Sequence, residues 1–334
     1  LLAGSSDLAH LYLNDGNGLF VLQDSSPFIP VEGSAVQFAD VDNDGDEDVL
    51  IVGSGANGKR ADLYFSDGLG GFDRDTSTIF EGAWNASLDF ADVDNDGDLD
   101  VAIQGQWDVG AGLHLYENDG LGKFSLVANT PFLGGSLSDL KFADVDKDGD
   151  QDLFVIGHWR SNLYLNEGAM VFVNSGESFK ELSYSRAAFA DIDGDDDLDL
   201  FVTGYGRNGY DYALYSNDGL GSFTEISGTP FIAVRDGDVE FVDYDKDGDL
   251  DLFIAGDTNI QRTNLISQLY ENDGSGSFSL VPNTPFTPIY DGDAFFFDFN
   301  QDTYPDLYTS GRAQSFGKIS MLYENKGDGN FWRN

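Results

Sequence analysis

Apolar residues in this chain come in short runs set between acidic or glycine-bearing turns, with no helical periodicity anywhere. Two kinds of run alternate. One is alternating or aromatic (AVQFADV, SLDFADV, LKFADV, AAFADI, VEFVDY, AFFFDF), the pattern of a strand with one buried face. The other is continuously apolar (DVLIVG, DVAIQG, DLFVIG, DLFVTG, DLFIAG, DLYTSG), the pattern of a strand buried on both faces. A third run holds a Leu-Tyr-like pair and ends at Asn-Asp-Gly, whose residues tolerate the positive φ of a tight hairpin. A fourth follows Gly-x-Phe.

Between the first and second runs stands a nine-residue acidic string. It begins at Asp40, Asp92, Asp144, Asp191, Asp243 and Asp298, at spacings of 52, 52, 47, 52 and 55 residues. The Leu-Tyr string occurs seven times, from Leu11–Phe20 to Leu322–Phe331. Self-similarity at this period predicts an array of supersecondary units and displaces the two-domain expectation from length. Four antiparallel strands per unit, here lettered A to D, predict an all-β fold, a seven-bladed β-propeller in one domain over 1–334. Its blade units fall at about 1–28, 34–80, 86–132, 138–180, 185–231, 237–286 and 292–334. The first lacks strand A, which is expected with its acidic string immediately before Leu1. The chain opens on strand-like sequence, not on a secretory signal.

The acidic strings carry the chemistry. Carboxylates at positions 1, 3, 5 and 9, with a main-chain carbonyl at 7 and a turn-forming glycine at 6, are the oxygen set of a hard cation such as calcium. The candidate ligands are Asp40, Asp42, Asp44, Asp46 and Asp48; Asp92, Asp94, Asp96, Asp98 and Asp100; Asp144, Asp146, Asp148, Asp150 and Asp152. Then follow Asp191, Asp193, Asp195, Asp197 and Asp199; Asp243, Asp245, Asp247, Asp249 and Asp251; and Asp298, Asn300, Asp302, Tyr304 and Asp306. Five full Ca2+ sites are expected, with a seventh site upstream of Leu1. The sixth string is weaker, because Asn300 replaces an aspartate and the β-branched Thr303 stands where the glycine should be. Asp196 takes the glycine position of the fourth, which aspartate can fill. No helices flank the strings and no glutamate stands at position twelve, so they are not EF-hands.

Composition sharpens this. The chain has 334 residues, a formal charge of −43, and no cysteine, which removes disulfides, thiol nucleophiles and thiolate metal sites. Thirty of its 60 acidic residues sit in the six strings. Six divalent ions would bring the charge to about −31, still repelling nucleic acid and anionic membranes. No apolar run is long enough to span a bilayer.

The FADVDNDGDxD string followed by LYxNDGxGxF resembles the FG-GAP or VCBS-type repeat across essentially the whole chain, and is similar to the calcium-bearing blades of integrin α-subunit propellers. The resemblance implies a propeller with calcium in the A-to-B loops, usually in a secreted or surface protein. Similar fungal lectins bind sugars between blades, and some polysaccharide lyases share the fold. Calcium stabilisation in a cysteine-free chain requires millimolar calcium, hence an extracellular setting.

Alternating strands put the A–B and C–D turns at one end of each blade and the B–C and D–A loops at the other. The second end varies and gathers Lys59, Arg60, Trp84, Trp107, His158, Trp159, Arg160, Tyr205, Arg207, Tyr210, Arg235, Arg262, Tyr290 and Arg312, groups suited to stacking on sugars or anchoring protein. Asn85-Ala86-Ser87 there is a glycosylation acceptor if the source is eukaryotic. The expected function is a noncatalytic binding or adhesion module for protein or glycan on a cell surface or matrix. The alternatives are a self-associating building block of a surface filament or layer and a polysaccharide-active enzyme. No motif unites Asp257, Arg235 and His158 into a catalytic set.

Overall fold

The computed structural model describes residues 2–5, 8–23, 26–314, 317–327 and 329–333, and all regular structure among them is β-strand. β1 (Leu2–Ser5), β2 (Leu8–Asn14) and β3 (Phe20–Leu22) form a three-stranded sheet. Six four-stranded antiparallel blades follow, each in chain order from A to D. Blade 1 is β4 (Glu32–Ala39), β5 (Asp48–Gly55), β6 (Gly58–Ser66) and β7 (Phe72–Arg74). Blade 2 is β8 (Trp84–Ala91), β9 (Asp100–Trp107), β10 (Gly110–Asn118) and β11 (Phe124–Leu126). Blade 3 is β12 (Ser138–Ala143), β13 (Asp152–Gly157), β14 (Arg160–Asn166) and β15 (Phe172–Asn174). Blade 4 is β16 (Leu182–Ala190), β17 (Asp199–Gly206), β18 (Gly209–Asn217) and β19 (Phe223–Ile226). Blade 5 is β20 (Arg235–Val242), β21 (Asp251–Asp257), β22 (Leu265–Asn272) and β23 (Phe278–Leu280), and blade 6 is β24 (Tyr290–Phe297), β25 (Asp306–Ala313), β26 (Gly317–Asn325) and β27 (Phe331–Arg333).

The count corrects the expectation of seven blades. Among the described residues there are six complete blades, and the sheet β1–β3 lacks a strand A, as expected of the first unit. The calcium loop expected before Leu1 lies outside the described residues. The chain clusters into two compact units, Leu1–Leu13 with Phe20–Phe179 and Asn14–Leu19 with Lys180–Asn334. The first carries blades 1–3 and the second blades 4–6.

Burial follows the apolar pattern. Each strand B is covered on both faces: Val49, Leu50, Ile51 and Val52 are all buried, as are Leu252, Phe253, Ile254 and Ala255. Strand D is a three- or four-residue edge whose middle residues face solvent, short enough to be a poor template for pairing with another chain.

The link from D to the next A carries a second recurring joint. Its phenylalanine packs edge-on against the Leu-Tyr tyrosine, at 4.9 Å for Phe28 and Tyr64, 5.0 Å for Phe80 and Tyr116, and 5.2 Å for Phe286 and Tyr323. The tyrosine hydroxyl accepts the next backbone N–H, from Ile29, Glu81 and Thr287 respectively. A buried phenol needs such a partner, which explains tyrosine at this position.

Candidate metal centres and the opposite loop face

Five of the six A–B loops are wound around their own first carboxylate. Asp40 accepts the N–H groups of Asp44 (3.2 Å) and Gly45 (3.0 Å), and Asp92 does the same for Asp96 (3.1 Å) and Gly97 (3.0 Å). The turn needs two left-handed residues. Position 6 is one, with φ of +93° at Gly45, +67° at Asp196 and +81° at Thr303. Position 4 is the other, filled by Asn43, Asn95, Lys147, Gly194, Lys246 and Gln301. Nothing lies within 4 Å of a Cβ added at Gly45, Gly97, Gly149 or Gly248, so glycine is there for its φ and not for space.

The ninth residue opens strand B and is buried in every loop. Its carboxylate ties the A–B loop to the C–D turn. Asp100 accepts the N–H of Val93 at 3.1 Å and of Asn118 at 2.8 Å, and Asp152 accepts those of Val145 (3.0 Å) and Asn166 (2.8 Å).

This winding brings carboxylate oxygens within 4.8 Å of one another in five loops: Asp40, Asp42 and Asp48; Asp92, Asp94 and Asp96; Asp144, Asp146 and Asp152; Asp191, Asp193 and Asp199; Asp243, Asp245 and Asp251. Their electrostatics are unfavourable without a cation. Burial, then the neighbouring aspartates, pushes Asp42, Asp94, Asp146, Asp193 and Asp245 up. Burial raises Asp48, Asp199 and Asp306 to about 6, and Asp100, Asp152 and Asp251 to about 7. Asp42 Oδ1, Asp144 Oδ1 and Asp243 Oδ1 are buried with no hydrogen-bond partner among the described residues. A set of hard oxygens, crowded, partly buried and in three loops partly unsatisfied among the described residues, fits a divalent cation.

Two sets of predicted ligands sit differently. The position-5 residues Asp44, Asp96, Asp148, Asp195 and Asp247 are all exposed, and of them only Asp96 has an oxygen within its loop's cluster. Position-7 side chains turn toward the C–D turn: Asp46 lies against Gly68, Asp98 against Gly120, Asp197 against Gly219, and Asp249 against Gly274. Asp98 also accepts Asn43 Nδ2 at 2.7 Å, and Asp150 accepts Asn95 Nδ2 at 2.5 Å, so position 4 of one blade reaches position 7 of the next. Any ligand from position 7 is therefore its main-chain oxygen.

The sixth loop is built otherwise. Asn300 Nδ2 donates to Asp302 (3.1 Å) and to Glu324 (3.2 Å), and Lys326 pairs with Glu324. Lys246, from the preceding loop, donates to Thr303 Oγ1 at 2.8 Å and lies 5.0 Å over the Tyr304 ring. Here the Lys246 and Lys326 ammonium groups supply positive charge and the Asn300 amide satisfies the acceptors, where elsewhere an ion would do both.

The Asn-Asp-Gly asparagine closes a joint that sequence reasoning missed. Asn118 Nδ2 donates to Val41 O (2.8 Å) in the previous blade and to Leu99 O (3.1 Å), and Asn166, Asn272 and Asn325 repeat the pattern. Asn14 donates to Phe299 O at 2.8 Å, bringing residues 14–19 to blade 6 within the second unit. The aspartate of this motif serves the turn itself. Asp67 accepts the N–H groups of Leu69 and Gly71, which hold its carboxyl below the usual range.

At the opposite end the candidate residues have diverse fates. Trp107 is 3% exposed and stacks on His114 at 4.3 Å, so it is an interior ring and not an open plate. Trp84 is 41% exposed and lies against Gly33. His158 and Trp159 form the β13–β14 turn with φ of +52° and +63°; His158 and Arg160 are exposed and Trp159 is half-buried. Arg207 is exposed and paired with Glu181 at 3.0 Å. Lys59 pairs with exposed Asp108, and Arg60 with buried Asp62. In the glycosylation triplet, Ser87 is buried and donates to Asp139.

In the second unit the structure gathers what the sequence scatters. Arg235 pairs with Asp257 (3.2 Å), which also accepts the Tyr210 hydroxyl and lies 3.7 Å from Arg262 Nε. Arg262 reaches Asp236 (2.7 Å) and Asp291 (3.4 Å) and lies 4.7 Å over the Tyr290 ring, while Arg312 reaches Asp291 at 3.4 Å. Bulges make this possible. Register shifts between Arg235 and Asp238, and between Tyr290 and Asp293, insert Asp236 (φ +49°) and Asp291 (φ +47°) into strand A. A Cβ on the following Gly237 or Gly292 would stand 1.9 Å from a strand-B carbonyl oxygen. The matching Asp-Gly-Asp strings were the available signal.

Comparison with known proteins fits this geometry. The FG-GAP-like repeat family matches residues 1–51, 40–103, 144–202, 191–254 and 243–309. No curated protein sequence matches significantly. Among solved structures, a lectin from Agrocybe aegerita, described by its specific recognition of non-reducing terminal N-acetylglucosamine, superposes with a TM-score of 0.68 at 16% identity, over 99% of this chain and 88% of that one. The Photorhabdus luminescens Tc holotoxin pore gives 0.43 at 15% identity over 98% of this chain and 16% of that one, and a Bacteroides thetaiotaomicron endo-1,4-beta-xylanase 0.40 at 11% over 92% and 95%. With its blades, its acidic A–B loops and a family match over most of its length, the chain belongs to the FG-GAP-like repeat family as a β-propeller.

Proposed function

We propose that this chain is a noncatalytic, calcium-stabilised extracellular module that binds glycan or protein through its B–C and D–A loop end. The observation that carries the calcium part is the recurrence of one partly buried carboxylate cluster in five loops, with oxygens in three of them that have no hydrogen-bond partner among the described residues. Carboxylates at positions 1, 3 and 9, or 1, 3 and 5 in the second loop, would hold the ion, and the ion would supply the neutralising charge. Calcium suits the site better than magnesium because it accepts seven or eight oxygens in loose geometry. At free calcium ten times Kd, each site stabilises the fold by about 1.4 kcal/mol, so five contribute about 7 kcal/mol, comparable to a domain's whole net stability.

Two things support binding over catalysis at the far end. Its acids are engaged in ion pairs, and the Tyr210 phenol is pushed up by burial and by its bond to Asp257, which keeps it protonated. The likeness in fold to a lectin is consistent with a sugar as ligand. A glycan array probed with calcium, and again with chelator, tests the reading. Calcium-dependent capture of a defined glycan class is expected. No capture of any glycan or surface protein would refute it.

A further inference from the structure

The bulge in β20 sets Arg235 opposite Asp257 in the strand register, which brings the guanidinium Nε to 3.2 Å from a carboxylate with no exposed surface. Asp236 closes on the same edge at 3.6 Å. The side chain is only 12% exposed, and the outer edge of the fork, its two terminal nitrogens, meets no acceptor among the described residues. The rings of Tyr184, Tyr205 and Tyr210 stand 5.1, 5.7 and 5.8 Å from its central carbon. Arg235 is thus fixed through Nε and walled by aromatic rings, with its two terminal nitrogens left without an acceptor among the described residues. Nearby acids are consumed: Asp257 and Asp236 are buried in ion pairs, and Asp291 is shared by Arg262 and Arg312. The unspent groups at this spot are therefore donors.

A planar fork with a free edge matches two coplanar acceptor oxygens, and aromatic walls match the apolar face of a pyranose. The charge of −43 disfavours dense polyanions, but a single carboxylate on a sugar ring brings little repulsion at physiological ionic strength, where distant charges are screened beyond about 8 Å. We propose that Arg235, held by Asp257 and walled by Tyr184, Tyr205 and Tyr210, takes the carboxylate of an acidic sugar residue in the glycan ligand. This rests on the binding-module reading and names the class of sugar.

The test is calorimetric titration of the calcium-loaded chain with glucuronic and galacturonic acid and their short oligomers, against glucose, galactose, acetate and a tripeptide with a free carboxylate. The acidic sugars are expected to bind at least about tenfold more tightly than their neutral counterparts. Arg235→Lys, which keeps the charge and loses the fork, should abolish that preference. The paired change Arg235→Gln with Asp257→Asn, which leaves no buried charge unpaired, should do the same with the melting temperature in calcium nearly unchanged. Equal affinity for acidic and neutral sugars overturns the proposal and leaves the module reading standing. Acetate or the peptide binding as tightly as a uronic acid overturns the sugar assignment. Absence of binding to every glycan and surface protein removes both. The wild-type comparison decides the matter even where a variant fails to fold.

Discussion

Asp94 and Asp100 show how differently two carboxylates of one loop behave. Asp100 is bound by two backbone N–H groups and holds the loop to the C–D turn, so its loss would damage the fold with or without an ion. Asp94, raised by burial, by Asp96 and Asp92 and by Glu117, would have its use in the ion proposed to bind here. Asp94→Asn should therefore lower the calcium stoichiometry by one and cost about 1.4 kcal/mol at free calcium ten times Kd, while leaving the chelated protein as stable or slightly more so. Denaturant melts in both conditions check this. The pH dependence follows from the six position-9 aspartates, raised to about 6 or 7 from an unfolded value near 4. In chelator, stability is full below about pH 4 and falls as pH rises through about 7, because the folded state resists ionising these acids. In calcium the trend reverses, since the ion binds the ionised form and protons compete with it below about pH 6 to 7. Melting temperature against pH, with and without calcium, should give slopes of opposite sign over that window.

Joints between elements explain why the Asn-Asp-Gly motif keeps its asparagine where a turn alone would accept several residues. Asn118→Ala strands the buried carbonyls of Val41 and Leu99 and should cost about 2 to 3 kcal/mol in calcium and in chelator alike. An effect confined to calcium would mean that the asparagine acts through the ion. The sixth loop makes the converse case. Replacing Asn300 by Asp and Thr303 by Gly should add one calcium to the stoichiometry, because the amide that satisfies Asp302 and Glu324 is gone and the turn regains its glycine. Strand order and the hairpins were legible because they depend on near neighbours in sequence. The Asn joint, the left-handed role of position 4 and the burial of Trp107 were not, because each is decided by a partner in another strand or blade. The same holds for the bulges that unite Arg235 with Asp257: their register depends on how Gly237 meets the carbonyl of Ala255.

For the molecule as a whole, the charge of −43 has a location. Half of the acids lie in six loops at the A–B end of the blades, and five of those loops bring together clusters that a divalent ion would neutralise. The far end is nearly balanced where Arg235, Arg262 and Arg312 meet Asp236, Asp257 and Asp291. Seven Leu-Tyr strings predicted seven blades with the first lacking strand A; the described residues hold that three-stranded sheet and six complete blades, so the count of blades is six. The claim on which the rest depends is that calcium holds these loops together. Calorimetric titration of the metal-free chain, followed by thermal melts at each ion ratio, tests it most directly. Five calcium ions per chain with a melting temperature that climbs steeply to that ratio, and little response to magnesium, is the result predicted here. A flat titration, or a melting temperature that calcium raises no more than magnesium or sodium at equal ionic strength, would contradict it.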